Sequence, residues 1–457
     1  MEQMFIAEDL QTPVTYQCDV LVCGGGTAGV VAAIAAARNH ADTILIESKG
    51  YVGGTLVDGA GPLHSFFNLH KAFENAEKKQ VVKGIAQELI ERLMEENGSY
   101  GHLEQEKGGN YDSAITLIDW EIYKDLALTM LEEAGVKILL HTNAVLAVKD
   151  ADTLTGVVIE GKSGREAIMA KTVIDTTGDA DIAALAGACF VKRQDTTSAG
   201  MPFGMADVNM KRLVAWLKEK DLIYQFIEGD KGCEDDTVIR LGFHLKEVPE
   251  FTEFMEKNGM WGPLGFSYHR NNFTYINAAN LKNVDATDTE ALSKAEITLR
   301  HQIMKLAKML KQYIPGFENA YVNWTPAKIG IRLTRIVDCE YDLTVDEIVN
   351  GTRFDDEVFL YGFHDCAPRI VIKDAKYYGF PYRALLPKKI ESLLVAGRCV
   401  TSTWEAHMST RNTVSCMAQG QAAGTAAALA IKKSCSVREL DVKLLQKTLK
   451  QQGVVLE

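Results

Sequence analysis

The first residues able to do chemistry are Gly24-Gly25-Gly26-Thr27-Ala28-Gly29, a G-x-G-x-x-G run. It follows the apolar stretch DVLVC and opens the alanine-rich stretch TAGVVAAIAAAR. In that setting Gly24 permits the strand-to-helix turn, Gly26 lets a pyrophosphate reach the backbone, and Gly29 lets helix and strand pack closely. A helix starting near Thr27 offers free N–H groups and a positive dipole end to phosphate. Glu47 closes the next apolar run, TILIE, where an acid holds a ribose hydroxyl. A dinucleotide is the expected ligand, and the fingerprint alone leaves NAD and FAD both open. Glycines recur far downstream, at Gly53-Gly54 before Thr55, in TTGDAD (176–181) and in LLVAGR (393–398). Contacts spread that widely suit a ligand stretched through a domain better than a compact one.

The elements that must position these groups read β-α-β at the start: a strand over Asp19–Cys23, a helix from Thr27 to Arg38, a strand over Thr43–Glu47. Helices are expected over 81–97 and 117–135, strand-like chain over 136–148, and a hairpin turning at GKSG (161–164). KTVIDTTGDADIAALAGA (171–188) repeats strand, glycine turn and helix. From about 190 the texture changes: amphipathic helices over 208–227 and 291–314 mix with the aromatic segment 262–277. A buried-strand run and a small-residue helix near 412–433 then resemble the N-terminal part in class. Gly420, Gly424 and Ala428 recur at four-residue intervals there, a face suited to close packing. The reading is a discontinuous α/β domain, 1–189 and 383–457, carrying an α+β insertion over 190–382.

Composition is that of an ordinary globular chain of 457 residues, 47% hydrophobic and 24% charged. The formal charge of −12, without Lys/Arg runs, argues against nucleic acid and against an anionic membrane surface. Nine cysteines form no C-x-x-C pair and no metal-ligand spacing, so no metal or iron–sulfur site is expected and reduced thiols in the cytoplasm are. The longest apolar candidate, AAGTAAALAI from Ala422, is too short to span a bilayer. No signal peptide is read at the N-terminus.

Six ordered blocks carry a family resemblance: DVLVCGGGTAGVVAAIAAAR, ESKGYVGGTL, VIDTTGDADIAALAGA, IPGFENA, GIRLTRIVDCEYDLT and FPYRALLPKKIESLLVAGRCVTSTWEAHMSTRNTVSCMAQGQAAGTAAALA. Together they resemble the FAD-dependent oxidoreductases, distantly similar to the flavoprotein subunits of succinate dehydrogenase and fumarate reductase. The resemblance implies a Rossmann-like FAD domain of glutathione-reductase type, three layers with a parallel sheet and a β-meander, plus an inserted substrate or cap domain. It implies noncovalent FAD exchanging hydride with a small organic substrate, and an electron acceptor not identified by sequence. Gly24, Gly26, Thr27 and Gly29 would cradle the pyrophosphate and Glu47 the adenosine ribose. Ser48, Gly53, Gly54 and Thr55 would line the path to the flavin, and Val145 would offer backbone to adenine. Thr177 and Gly178 match a glycine turn near the cofactor. Gly397 and Arg398 would meet the ribityl chain, although many relatives of the broader fold have an aspartate where Arg398 stands. The backbone at Thr413 and Val414 would face flavin O2.

Hydride exchange also needs a proton donor or acceptor and a cationic orienter. His407 and Arg411, four residues apart in WEAHMSTRN, are the candidates: His407 for the proton, Arg411 as anchor for an anionic oxygen. Arg335 and Arg332 come next, in Arg332-Leu333-Thr334-Arg335-Ile336, where the family's usual Arg-Glu-Ser-Arg-Arg has lost two charged positions. His64 is placed to reach the flavin face, and Tyr377-Tyr378 and the 266–277 aromatics to roof a pocket. Two other readings use the same residues. One is an NAD-dependent dehydrogenase built on the N-terminal fingerprint; the other is a flavin-binding protein with a structural or non-redox lyase or isomerase role.

Overall fold

The computed structural model describes residues 6–59, 63–64, 66–68, 78–104, 114–192, 198–362, 372–400 and 403–457. Its first sheet is built on the parallel strands Lys137–Leu139, Thr43–Ile46, Val14–Cys23, Gly164–Asp175 and Leu393–Val395, in that spatial order. Strands Asn143–Asp150 and Thr153–Gly161 join the N-terminal half of Gly164–Asp175 as an antiparallel meander. Alternation along the central strand fixes the layers. Val20 and Val22 point to the helices Thr27–Arg38, Ile85–Glu95, Trp120–Glu133 and Thr413–Lys433, whereas Leu21 and Cys23 point to Leu154, Val157 and Ile159 of the meander. Burial on both faces is why these strands read as unbroken apolar runs. The result is the expected three-layer α/β, Rossmann-like architecture.

A second sheet, antiparallel, orders Ile223–Glu228, Val238–Phe243, Leu264–Phe266, Asn272–Lys282, Ser198–Ala206 and Tyr321–Trp324. Helices Met210–Glu219, Pro249–Lys257 and Thr289–Tyr313 cover one face and share its own core, from Ala199 to Ile329. The other face looks toward the first domain. Ile276 and Ala278 lie on the helix side, and Tyr275 and Asn277 line a cavity between the two sheets. A short antiparallel ribbon, Phe190–Lys192 with Arg335–Val337, forms the stem of the insertion.

Three expectations shift. The helix read over 208–227 ends at Glu219, where Asp221 takes a left-handed φ of 54° and the β-branched and aromatic run Ile223–Glu228 continues as an edge strand. The strand-like 136–148 is two strands, broken near His141 at φ 53°. The chain over 343–382 is expected within the insertion; apolar side chains of its described residues, among them Leu343, Ile348, Phe359, Tyr378 and Phe380, pack instead in the core beneath the first sheet.

Candidate cofactor and substrate site

The glycine run occupies the crossing of strand Val14–Cys23 and helix Thr27–Arg38. Gly24 has φ 102°, and a Cβ there would lie 2.7 Å from the Thr176 carbonyl oxygen; at Gly29 it would lie 1.8 Å from that of Gly24. Gly26 differs, because a Cβ on it would approach protein only at 3.9 Å. Its open side faces a cavity of about 1020 Å³. Gly26 is also the N-cap of the 12-residue helix and supplies no side-chain cap. The first-turn N–H groups therefore remain available to a phosphate.

Glu47 is 8% exposed. Its carboxylate accepts from Gly25 N at 2.7 Å, Lys49 N at 3.0 Å and Ser48 Oγ at 2.9 Å. Three donors hold the group at the cavity edge, and a carboxylate's fourth lone-pair position is left for a hydroxyl. Gly53 donates to the Gly25 carbonyl at 2.7 Å, and a Cβ on Gly54 would lie 2.9 Å from Gly26 Cα. The paired glycines thus pack against the fingerprint.

Of the expected cofactor residues, Gly24, Gly26, Thr27, Glu47, Ser48, Gly54 and Thr55 line the cavity. So do Thr177, Gly178, Gly397, Arg398 and Thr413. Gly29 and Gly53 sit behind the wall. Val145 lies at an irregularity between Ala144 and Leu146, one residue beyond the lining Asn143 and Ala144. Val414 is fully buried beneath the start of helix Thr413–Lys433. The N-cap of that 21-residue helix, Asn412, turns its amide back to the Met408 and Ser409 carbonyls, at 3.0 and 2.9 Å, and caps nothing ahead of it. Two long helices with uncapped N-termini therefore open on one cavity.

Between them, Arg398 Nη2 reaches Asp179 Oδ1 at 2.5 Å, and Thr334 Oγ1 donates to the same oxygen at 2.6 Å. Burial alone would push the Asp179 carboxyl up, but Arg398 and the Thr334 hydroxyl outweigh it and hold it below the usual range. Lys49 pairs with the buried Asp58, which also accepts from Tyr51 Oη at 2.5 Å. Lys328, from the insertion, faces this region; burial, then the charges of Lys49 and Arg398, shift it downward.

The catalytic candidates separate. Arg411 lines the cavity, as does Arg332. His407, 1% exposed, is not among the lining residues; its Nε2 lies 3.2 Å from the Arg332 carbonyl oxygen. Arg335 is likewise off the wall, donating to Asp181 at 2.7 Å and to the Asp179 carbonyl at 2.9 Å beside the stem. The side chain of His64 lies outside the described residues. Tyr378, fully buried, bonds Ser409 at 2.7 Å, and Tyr377 lies with Lys79 and Glu457; neither roofs the cavity.

The roof comes from the second sheet and its flanks: Phe266, Tyr275 and Asn277 belong to the 266–277 segment expected there, whereas Arg240, His244 and Trp261 are groups that spacing did not expose. Arg240 is 1% exposed in a strand buried along its whole length. The one charge inside the apolar run TVIRLGF was the available signal. Gln419 was also missed: its Oε1 accepts from Gly397 N at 2.7 Å and its Nε2 donates to the Thr410 carbonyl at 2.8 Å, tying the Gly-Arg turn to the second helix. Burial pushes the cavity-lining Cys416 up to about 12, so it stays a thiol rather than a nucleophile. Among the described residues no His/Cys/Asp/Glu group is arranged to hold a metal, and no helix is long and apolar enough to cross a membrane.

A family model described as FAD dependent oxidoreductase matches residues 19–449. Among curated proteins, dihydrolipoyl dehydrogenase of Manduca sexta is 26% identical over 212 residues, 45% of this chain and 37% of that protein. Digeranylgeranylglycerophospholipid reductase of Methanoculleus marisnigri is 27% identical over 172 residues, 37% of this chain and 41% of that one. The chain thus spans about two fifths of the length of these relatives. Among solved structures, a geranylgeranyl bacteriochlorophyll reductase-like protein from Thermoplasma acidophilum superposes with a TM-score of 0.49 at 14% identity, covering 96% of this chain and 84% of that one.

Proposed function

The chain belongs to the FAD-dependent oxidoreductase family, and on that premise we propose that it binds FAD noncovalently and oxidises or reduces a small organic substrate. One observation carries this reading: two uncapped helix N-termini, at Gly26 and Asn412, open on a single large cavity that the inserted sheet roofs. The fit to FAD is physical. Gly26 leaves space where a diphosphate needs it, Glu47 offers an acceptor to a ribose, and the helix starting at Thr413 favours negative charge at the far end. An NAD-only reading leaves the second helix start and the Gly397-Arg398 turn without a ligand.

FAD, when bound, supplies the hydride acceptor or donor. This chain's own residues bind and orient. Arg411 anchors an anionic oxygen of the substrate, His407 positions the Arg332 backbone, and the aromatic roof limits water. Electrons pass onward to a diffusible acceptor or a partner. The cytoplasm is the compartment we assign, since all eight described cysteines are free thiols.

The test is an absorption spectrum of the purified protein, followed by acid release and mass identification of the cofactor. Flavin absorption with FAD in the supernatant supports the reading; a colourless protein that does not take up added FAD ends it. Glu47→Gln keeps an acceptor for Gly25 N–H but lacks the carboxylate. It is expected to weaken FAD retention at least about tenfold, the scale of one charge-assisted hydrogen bond. Unchanged FAD occupancy under dialysis would remove Glu47 from the site.

A further inference from the structure

Between strand Tyr321–Trp324 and the short strand Gly330–Ile331 the chain turns through Thr325-Pro326-Ala327-Lys328-Ile329. Helix Thr289–Tyr313 holds this turn from behind. Arg300 Nη2 donates to the Pro326 and Ala327 carbonyls at 3.0 and 3.3 Å, and Glu296 Oε1 accepts from Ile329 N at 2.7 Å. Ile329, 1% exposed, is sealed in the core of the second sheet, whereas Lys328 stands on the cavity wall. The turn meets the first body beside the glycine fingerprint. A Cβ on Gly330 would lie 3.9 Å from Thr55 Cγ2, and one on Gly54, the residue before Thr55, would lie 2.9 Å from Gly26 Cα. Two residues from Gly330, Lys328 therefore enters the cavity next to the open helix start at Gly26.

The charges that Lys328 meets on the first body are already matched. Lys49 pairs with Asp58 and Arg398 with Asp179, and among the described residues Lys328 pairs with neither carboxylate. It feels all four groups. Two neutral pairs with a further cation against them leave one positive charge over, and an ammonium held away from water is costly until an anion joins it. The helix N–H groups at Gly26 reach a diphosphate from the first body alone. We propose that the Lys328 ammonium completes the diphosphate site of FAD from the side of the second sheet, so that both bodies hold the cofactor. This assignment rests on the cavity taking FAD. Burial, then Lys49 and Arg398, shift Lys328 downward against the pull of Asp179 and Asp58, and a diphosphate adds to that pull. FAD retention then depends on the second sheet staying in place over the first.

The probes are ADP and adenosine, which share adenine and ribose and differ in the diphosphate. Each is dialysed against the FAD-loaded full chain, and the concentration that displaces half the FAD is read from flavin absorption. Lys328→Gln is expected to raise the Kd for FAD at least about tenfold, the scale of one charge-assisted hydrogen bond. It should cut the advantage of ADP over adenosine by the same factor, which a merely structural role would not do. Lys328→Arg keeps the charge and should keep most of both. FAD held by Lys328→Gln as tightly as by wild type overturns the proposal. So does weaker FAD with an unchanged ADP advantage, which puts the ammonium at the flavin instead. Where Lys328→Gln does not fold, wild type decides. With its FAD displaced by ADP, acetic anhydride should label Lys328 more slowly than with its FAD displaced by adenosine, as read by peptide mass; equal labelling overturns the proposal. Protein that takes up no FAD sinks the proposed function and this assignment with it, whereas FAD held without help from Lys328 sinks the assignment alone.

Discussion

Asp175 has no exposed surface, yet it accepts from Thr177 N at 3.0 Å, Thr177 Oγ1 at 2.7 Å and Ala183 N at 2.9 Å. It fastens the end of a central strand to the turn at Gly178 and to the helix beginning at Asp181. Burial raises its pKa to about 6, the three hydrogen bonds only partly opposing. The folded chain therefore holds this proton at a pH where the unfolded chain has lost it, so the group's contribution to stability falls as pH rises from about 4 to 6. The stability of wild type relative to Asp175→Asn should drop by on the order of 2 kcal/mol across that window. Urea unfolding of both at pH 4 and pH 7 reads this directly, and parallel pH dependence would place the proton elsewhere. Residue-scale roles were only partly legible. His407 and Arg411 are four apart, the spacing of one helix face, but the helix ends at Thr410 with Arg411 as its C-cap. The chain turns there, sending Arg411 to the cavity wall while His407 stays against the Arg332 carbonyl. Periodicity carries no information on where a short helix stops.

Small side chains decide the packing of elements. Helix Thr27–Arg38 is buried from Ala28 to Ala36, and helix Thr413–Lys433 lies against it so closely that Cβ atoms on Gly420 and Gly424 would sit 2.2 and 2.1 Å from the Ala28 and Ala32 carbonyl oxygens. Those oxygens belong to backbone and cannot rotate away. Gly424→Ala must therefore separate two helices whose N-termini both open on the cavity. The expected loss is about 1–3 kcal/mol, together with weakened FAD retention, measured by chemical unfolding and flavin content. A variant of wild-type stability that keeps its flavin would mean the helices tolerate a wider spacing. This contact was visible in the sequence as Gly420, Gly424 and Ala428, because close approach demands small residues at a fixed interval. The α/β layers were visible for a similar reason, since strands buried on both faces must be continuously apolar. The edge strand Ile223–Glu228 was not, because Ile, Tyr, Gln and Phe in that order satisfy a helical period as well as a pleated one until Asp221 reverses the chain.

At the scale of the molecule, the cavity belongs to two bodies. Gly397, Thr413 and Arg411 come from one, and Arg240, Tyr275 and Arg332 from the other. They also meet away from the stem. A Cβ on Gly59 would lie 2.8 Å from Pro202 Cγ, and one on Gly330 would lie 3.9 Å from Thr55 Cγ2. A change of texture in the sequence marks the second sheet but not the return to the first core, because Phe359 and Phe380 are as aromatic as the residues of the second sheet before them. Only tertiary packing tells the two apart. Because Lys328, Gly330 and Arg332 line the same cavity as the glycine cradle, FAD should stabilise both bodies rather than one. A ligand at 100 times its Kd adds about 2.7 kcal/mol to every opening that destroys its site. Hydrogen exchange with and without FAD should therefore show added protection not only at residues 24–30 and 413–417 but also at 328–332, slowed by up to about a hundredfold. Protection confined to the first two segments would mean that the insertion opens without disturbing the cofactor. The shared wall would then serve the substrate alone.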